Sequence, residues 1–249
     1  MHEASLHDEN CFLTLTYNDE HLPTVAPGIS IVSKRDVQLF LKRLRKSTGK
    51  KLKYYMGAEY GPKRGRAHYH LCIFGMDFSD KQLWSINRGN NLYTSKTLDK
   101  IWGKGFCTIG DLTFQSASYV ARYCMKKMKG PKATEHYGAY TNLETGEIIE
   151  REPEFALMSR RPAIGKDWYE KWKDEVLNNG NIIANGHVQA TPKYYERLAE
   201  KEDDPRLLPA KAKRRDFAKS RWRENIGQRI ISRFICLKQK TQILTRELE

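Results

Sequence analysis

With 249 residues the chain can build one sizeable core, or a domain of about 150 residues with an extension. Its 44 Lys and Arg against 30 Asp and Glu leave a net charge of +14 and a pI near 9.5, which points to a polyanionic partner, nucleic acid ahead of an anionic membrane surface. Five widely spaced cysteines without a Cys-x-x-Cys pair argue against a disulfide framework or structural zinc; with no long apolar run and no leader-like N-terminal core, neither spanning nor secretion is expected, and a reducing cytoplasm is.

Phe12-Leu-Thr-Leu-Thr-Tyr17 reads as a first strand, followed by a Pro- and Gly-containing loop from Asn18 to Ile31. Ser33-Lys-Arg-Asp36 opens a helix whose Val37, Phe40, Leu41 and Leu44 form one apolar stripe, and Gly49 ends it. Two antiparallel strands, 52–60 and 67–75, flank the turn sequence Gly61-Pro-Lys-Arg-Gly65. A variable stretch around Asn87-Arg-Gly-Asn-Asn91 leads to a short helix at Leu98 to Trp102 and a strand at Phe106 to Leu112. Ser116 to Gly130 is a capped helix stopped by Gly130-Pro131. The order predicts an α+β fold, a mainly antiparallel sheet with flanking helices on one side. RNA-recognition modules share that layout, but the histidine pair occupies the position where their stacking aromatics are expected.

Beyond Gly130 the pattern weakens. Phe155-Ala-Leu-Met-Ser159 is a candidate last strand, and Gly165 to Leu177 a helix presenting Trp168 and Trp172. Arg160-Arg161-Pro162 marks the expected boundary between a domain of residues 1–160 and a basic, mostly helical extension of residues 161–249. From Lys193 to Glu249 there are 16 Lys and Arg against 9 Asp and Glu, a net of +7 and half of the total charge. There Lys211, Lys213, Arg214, Arg215, Lys219, Arg221 and Arg223 interleave with Phe217 and Trp222, a mixture suited to phosphate contact and base stacking, and equally to a solvated basic helix or a disordered tail.

The chemistry-bearing residues lie on the hairpin and on the helix after it. His68 and His70 alternate with Tyr69, so their side chains share one strand face about 7 Å apart, within reach of one cation. Glu59 on the partner strand is the candidate third ligand, with pairing to Arg64 or Arg66 across the turn as its alternative. Such mixed nitrogen and oxygen ligation suits Mn²⁺ on softness, whereas abundance favours Mg²⁺. On the helix, Tyr119, Tyr123 and Lys126 fall on one stripe, and Ala117, Val120, Ala121, Cys124, Met125 and Met128 on the opposite, packing side. A metal beside a tyrosine pair suggests a metal-assisted tyrosine nucleophile, with Lys126 stabilising the phenolate or the charge of the transition state.

Taken in order, Phe12–Tyr17, Gly57-Ala-Glu59-Tyr-Gly61, His68-Tyr-His70 and Tyr119-Val-Ala-Arg-Tyr123 with its trailing lysines resemble the HUH endonucleases, and within them the replication initiators of small single-stranded DNA phages of the microvirus group. The resemblance runs from about residue 11 to residue 130. It implies rolling-circle initiation: site-specific nicking and joining of single-stranded DNA at an origin through a 5′-phosphotyrosine, with a free 3′-hydroxyl left as primer. Its implied partners are the origin strand and a host helicase and polymerase, since no Gly-x-x-x-x-Gly-Lys-Ser/Thr loop supplies a fused helicase. Members often carry a Cys-containing stretch before the first strand, where this chain begins at Met1-His-Glu-Ala-Ser, which suggests a truncated product, and Ala67 stands where a proline commonly precedes the first histidine. Plasmid relaxases and single-strand transposases share the chemistry, but relaxases tend to show three clustered histidines and an N-terminal tyrosine. A non-catalytic nucleic-acid-binding module would instead bind without metal and form no covalent product.

Overall fold

The alternation of Cys11, Leu13, Leu15 and Tyr17 gives a strand one fully buried apolar face, and this strand, β1 (Asn10–Thr16), is the centre of a seven-stranded sheet in the computed structural model. The structure describes residues 1–61, 65–87, 89–126, 130, 133, 137–141, 145–184 and 186–243, without the side chains of 123–126, 139, 149 and 241–243. Two compact units result, Met1–Ile164 and Gly165–Glu249.

In the first unit, β1 is followed by a small hairpin of β2 (Thr24–Ala26) and β3 (Ile29–Ser30), then by α1 (Lys34–Thr48). Helix α1 begins where the Ser33 hydroxyl accepts the Asp36 N–H, and ends at Gly49, whose φ of 65° is a left-handed conformation that favours glycine. Strands β4 (Lys53–Tyr60) and β5 (Ala67–Phe74) form the expected hairpin. The stretch expected to be variable is instead a second hairpin, β6 (Gln82–Asn87) and β7 (Asn90–Thr94). Its alternation went unread because β6 is exposed nearly throughout, so no apolar face repeats along it. Then come α2 (Lys96–Trp102), β8 (Cys107–Asp111), α3 (Phe114–Lys126), the short pair β9 (Ala139–Thr141) and β10 (Ile148–Glu150), and β11 (Ala156–Met158). The sheet order is β11-β4-β5-β1-β8-β7-β6, with antiparallel pairing throughout.

Odd-numbered positions of β1 and β5 face α1 and α2. Leu13, Leu15, Tyr69, Leu71 and Ile73 meet Val37, Phe40, Leu41, Leu44, Leu98 and Trp102 in one cluster, each large side chain contributing about 1.5–3 kcal/mol on full burial. A polar network pins this face: the Tyr17 hydroxyl donates to Asp36 at 2.7 Å and lies 2.9 Å from the Tyr69 hydroxyl, which in turn accepts the Ser33 N–H. Burial pushes the Tyr69 phenol up to about 12 and that of Tyr17 higher still, so both stay protonated.

Helix α3 packs on the other face of β4 and β5, not beside α1 and α2 as a one-sided arrangement predicts. It starts at Phe114, two residues before the expected Ser116. The Ser116 N–H donates to the Thr113 hydroxyl at 3.2 Å while the Thr113 N–H donates to the Ser116 hydroxyl at 2.8 Å, a reciprocal capping box.

The second unit contains α4 (Lys166–Asn179), the hairpin of β12 (Asn181–Ala184) and β13 (His187–Ala190), α5 (Lys193–Lys201), α6 (Leu207–Ser220), a 3₁₀ turn at Trp222–Asn225 and α7 (Gly227–Ile243). Tyr169, Leu177, Tyr195, Ala199 and Leu207 are its buried cluster, with Tyr195 stacked on both Trp168 and Tyr169. No helix among the described residues is long and apolar enough to cross a membrane.

Gly105 is the tightest backbone contact of the sheet. A Cβ there would lie 2.5 Å from the Thr16 carbonyl oxygen and from the Asn18 nitrogen. Gly105→Ala is therefore expected to destabilise the protein by about 1–3 kcal/mol, read as a lower urea midpoint with an unchanged slope; an unaltered midpoint contradicts the close approach.

Candidate metal and nucleophile site

Cross-strand register assembles the cluster. Glu59 lies directly opposite His68 on β4 and β5, Thr16 opposes His68 from β1, and Thr14 opposes His70. Paired residues in register share a face, so Glu59, His68, His70, Thr14 and Thr16 all stand on the side of the sheet that α3 covers. His70 faces Gly57 across the hairpin, which adds no side chain beside the imidazole.

Glu59, His68 and His70 are all buried, and one ligand atom from each falls within 4.8 Å of the others. The Nε2 atoms of His68 and His70 lie 3.8 and 3.9 Å from the Glu59 Oε2. Those separations exceed a direct hydrogen bond and match donors that each sit about 2.1 Å from a shared cation. The donor set therefore fits a divalent ion. The other Nδ1 atoms are engaged: His68 Nδ1–H donates to the Arg66 carbonyl at 3.1 Å, and His70 Nδ1 shares a 3.1 Å hydrogen bond with the Thr14 hydroxyl. Such partners set the tautomer that turns Nε2 toward a metal. Phe12 stacks on the His70 ring at 5.6 Å, and the two imidazoles meet edge to face at 5.0 Å. Arg66 directs its guanidinium to Asp19 and the Tyr17 carbonyl, and Arg64 lies outside the described residues.

Tyr119 overturns one expectation. It is 3% exposed, and its ring edge packs on His70 with centroids 5.2 Å apart, whereas Ala121, assigned to the packing side, is exposed. Ser116, Tyr119 and Val120, at i, i+3 and i+4, form the real packing stripe. The reason is size: the small residues Ala117 and Ala121 read as apolar, but the larger tyrosine ring gains more by lying on the imidazole. The side chains of Tyr123 and Lys126 lie outside the described residues; the helix backbone carries both positions further along α3.

Sequence reasoning missed Thr14, Phe12 and Arg122. The Arg122 guanidinium lies 6.0 Å from the Tyr119 ring centroid; its signal was the i, i+3 spacing from Tyr119. Thr14 had none, since only the register reveals that it faces His70.

The basic candidates of the second unit divide in two. Lys211 and Arg214, on α6, are ion-paired to Glu200 and Glu196 on α5. Lys213, Arg215, Lys219, Arg221, Trp222 and Arg223 are exposed, with the Arg221 guanidinium over the Phe217 ring and that of Arg223 over Trp222.

Residues 10–128 match the family model for the phage replication-associated protein ORF2. The chain is 32% identical over 223 residues to the replication-associated protein VP4 of Bdellovibrio phage phiMH2K, covering 85% of the chain and 64% of the relative. It is 34% identical over 221 residues to the replication-associated protein ORF2 of Spiroplasma virus 4, covering 84% and 64%. With the replication-associated protein ORF4 of Chlamydia phage 1 it shares 29% over 208 residues, covering 80% and 48%. The chain thus spans less than two thirds of the length of each relative. No solved structure matches.

Mn²⁺ binding is expected to raise the melting temperature, as any ligand selective for the folded state does, by about 2.7 kcal/mol of stability at a hundredfold excess over Kd. Glu59→Gln and His70→Ala should abolish the shift. Thr14→Val, which removes only the hydroxyl orienting His70, should weaken Mn²⁺ binding about 10- to 100-fold; parental affinity in that variant rules out the orienting role.

Proposed function

The chain belongs to the replication-associated protein family that the ORF2 model describes, and from that premise we propose that it initiates replication by cutting and rejoining single-stranded DNA through a covalent 5′-phosphotyrosine. The observation that carries this reading is the meeting of a nucleophile with a cation-binding donor set: the Tyr119 ring lies on His70, which shares its cluster with Glu59 and His68.

In the cutting step the Tyr119 hydroxyl oxygen attacks the scissile phosphorus. A tyrosine–phosphate bond forms as the bond to the leaving 3′ oxygen breaks, giving a 5′-phosphotyrosine and a 3′-hydroxyl. The leaving oxygen gains a proton as the phenol loses one, so neither water nor nucleotide is consumed. Mg²⁺ or Mn²⁺ held by Glu59, His68 and His70 would polarise the scissile phosphate and offset the charge that builds on it. An ordinary phenol titrates at about 10, so the attacking oxygen needs a cation beside it; Arg122 and Lys126 are assigned that role. Tyr123, one helical turn on, is the second nucleophile: one tyrosine keeps the 5′ end while the other cuts again, and the displaced strand closes into a circle.

Residues 1–160 act as the endonuclease and residues 161–249 as a basic extension that holds single-stranded DNA. There Lys213, Arg215, Lys219, Arg221 and Arg223 contact phosphates and Trp222 stacks on a base, with Lys211 and Arg214 weaker contributors because Glu200 and Glu196 already neutralise them. Strand separation and synthesis fall to a host helicase and polymerase in the host cytoplasm.

The test incubates the protein with Mn²⁺ and labelled single-stranded oligonucleotides tiling the genome that encodes it, then resolves the products on a denaturing gel. A covalent adduct is expected with the parent protein, and none with EDTA or with Tyr119→Phe/Tyr123→Phe; the single variants rank the tyrosines. No adduct from the parent on any oligonucleotide, or an adduct that survives in the double variant, rejects the tyrosine mechanism.

A further inference from the structure

The α3 face of the sheet is not uniformly covered. Over β4 and β5 it is buried beneath α3, but over β1 and β8 it opens: Thr14, Thr16, Thr108 and Gly110 are only half-buried. Register puts all four on that face, Thr14 opposite Thr108 and Phe12 opposite Gly110. A Cβ on Gly110 would meet nothing closer than 3.8 Å, the Leu92 side chain. The result is a shallow floor of hydroxyl groups and one bare backbone position, starting at the histidines and running toward the far sheet edge.

The floor ends at two exposed aromatic rings. The Phe106 carbonyl accepts both the Thr16 N–H and the Thr16 hydroxyl, so residue 106 stands beside Thr16, which itself opposes His68. Trp84, on the edge strand β6, tilts against Phe106 with ring centroids 4.9 Å apart. Trp84 is 57% exposed and Phe106 45%, although rings of this size are normally covered. Counting strands, Phe106 is two spacings, about 10 Å, from His68. Gly105 allows the backbone approach that brings Phe106 there.

We propose that Trp84 and Phe106 form a base-stacking platform that grips an unpaired nucleobase of the strand to be cut and sets its register at the Glu59–His68–His70 cluster. The inference rests on the single-stranded DNA reading above and names a positioning site for it. A base is the occupant that fits: the rings offer flat apolar surface, the floor between them and the cluster offers hydroxyl donors to a sugar–phosphate chain, and the two ends are continuous across one sheet face. Stacking tolerates any base because each has a π face. The other candidate occupant, a second copy of the chain pairing along the exposed β6 edge, is separated by experiment.

Fluorescence anisotropy of a labelled single-stranded oligonucleotide, in EDTA so that no cutting occurs, measures affinity for the full chain and for Trp84→Ala, Phe106→Ala and Trp84→Phe. The alanine variants should bind about 5- to 100-fold more weakly, the range for loss of one base stack, with Trp84→Phe close to the parent. The slope of affinity against salt should not change, because no phosphate contact is removed. A single abasic residue stepped along the oligonucleotide should weaken binding to the parent at one position and leave Trp84→Ala unaffected there, a coupling that a merely structural role would not produce. The Mn²⁺ thermal shift should be identical in all variants. Parental affinity in Trp84→Ala overturns the platform, as does absence of single-stranded DNA binding by the parent. Conversion of a dimer to a monomer by Trp84→Ala, with affinity per protomer unchanged, overturns it in favour of self-association. Failure of the adduct test with these binding differences intact rejects the nicking chemistry and leaves the platform standing.

Discussion

Everything at the candidate site depends on the register of β5. All eight of its residues are buried, yet they alternate between two incompatible environments: Tyr69, Leu71 and Ile73 enter the aliphatic cluster under α1 and α2, while His68 and His70 face Glu59 and α3. A slip of one residue would drive both imidazoles into the apolar core and turn a leucine toward the carboxylate. Several polar contacts oppose that slip. The Ser30 hydroxyl accepts the Ala67 N–H and donates to the Gly65 carbonyl, Arg151 reaches the carbonyls of both Ser30 and Gly65, and the Tyr69 hydroxyl is held at the start of α1. Each anchor lies far from β5 in sequence, so the hairpin is fixed by the whole first unit and not by its own turn alone.

The same constraint explains why the two faces differ so sharply in chemistry. A carboxylate as buried as Glu59 is costly unless positive or donor groups compensate it, and two imidazoles whose Nδ1 atoms are engaged elsewhere present Nε2 toward it. That arrangement suits a divalent cation better than a direct ion pair, because the 3.8 and 3.9 Å separations leave the carboxylate and the rings apart. On the opposite face the polar groups close on one another: Tyr17, Tyr69, Asp36 and Ser33 form a hydrogen-bonded set among aliphatic side chains. The tyrosines of that face serve packing, and their raised pKa values follow from burial. Cys11, Cys72 and Cys107 are likewise buried free thiols whose pKa values burial raises.

What was legible in the sequence was whatever repeats locally. The β4–β5 turn, the Ser33 cap with its Gly49 stop, and the His-x-His alternation all carry their signal within a few residues, and the structure realises them in register. Glu59 was legible because a hairpin fixes the partner of each residue. The β6–β7 hairpin was not, since a strand exposed on nearly every residue lacks the apolar period by which strands are recognised. The orientation of α3 was misread for a related reason: hydropathy treats alanine and tyrosine as points on one scale, whereas packing is decided by which side chain fills the space above His70. Thr14 and Phe106 could not be found at all without the sheet order, because both gain meaning only from neighbours on other strands.

The distribution of charge complements this division. Half of the net +14 lies between Lys193 and Glu249, while the floor leading to the metal cluster is lined by threonines and a glycine. For a protein that must cut one strand at one position these are separate tasks. Charge acts over roughly a Debye length, about 8 Å at physiological salt, and attracts any nucleic acid with equal force per phosphate, so it sets encounter rate and salt sensitivity without choosing a register. A register can come only from contacts short enough to distinguish one nucleotide from the next. A carboxylate and two imidazoles held by a buried strand, with aromatic rings two strands away on the same face, have that range. Cations spread over flexible side chains do not.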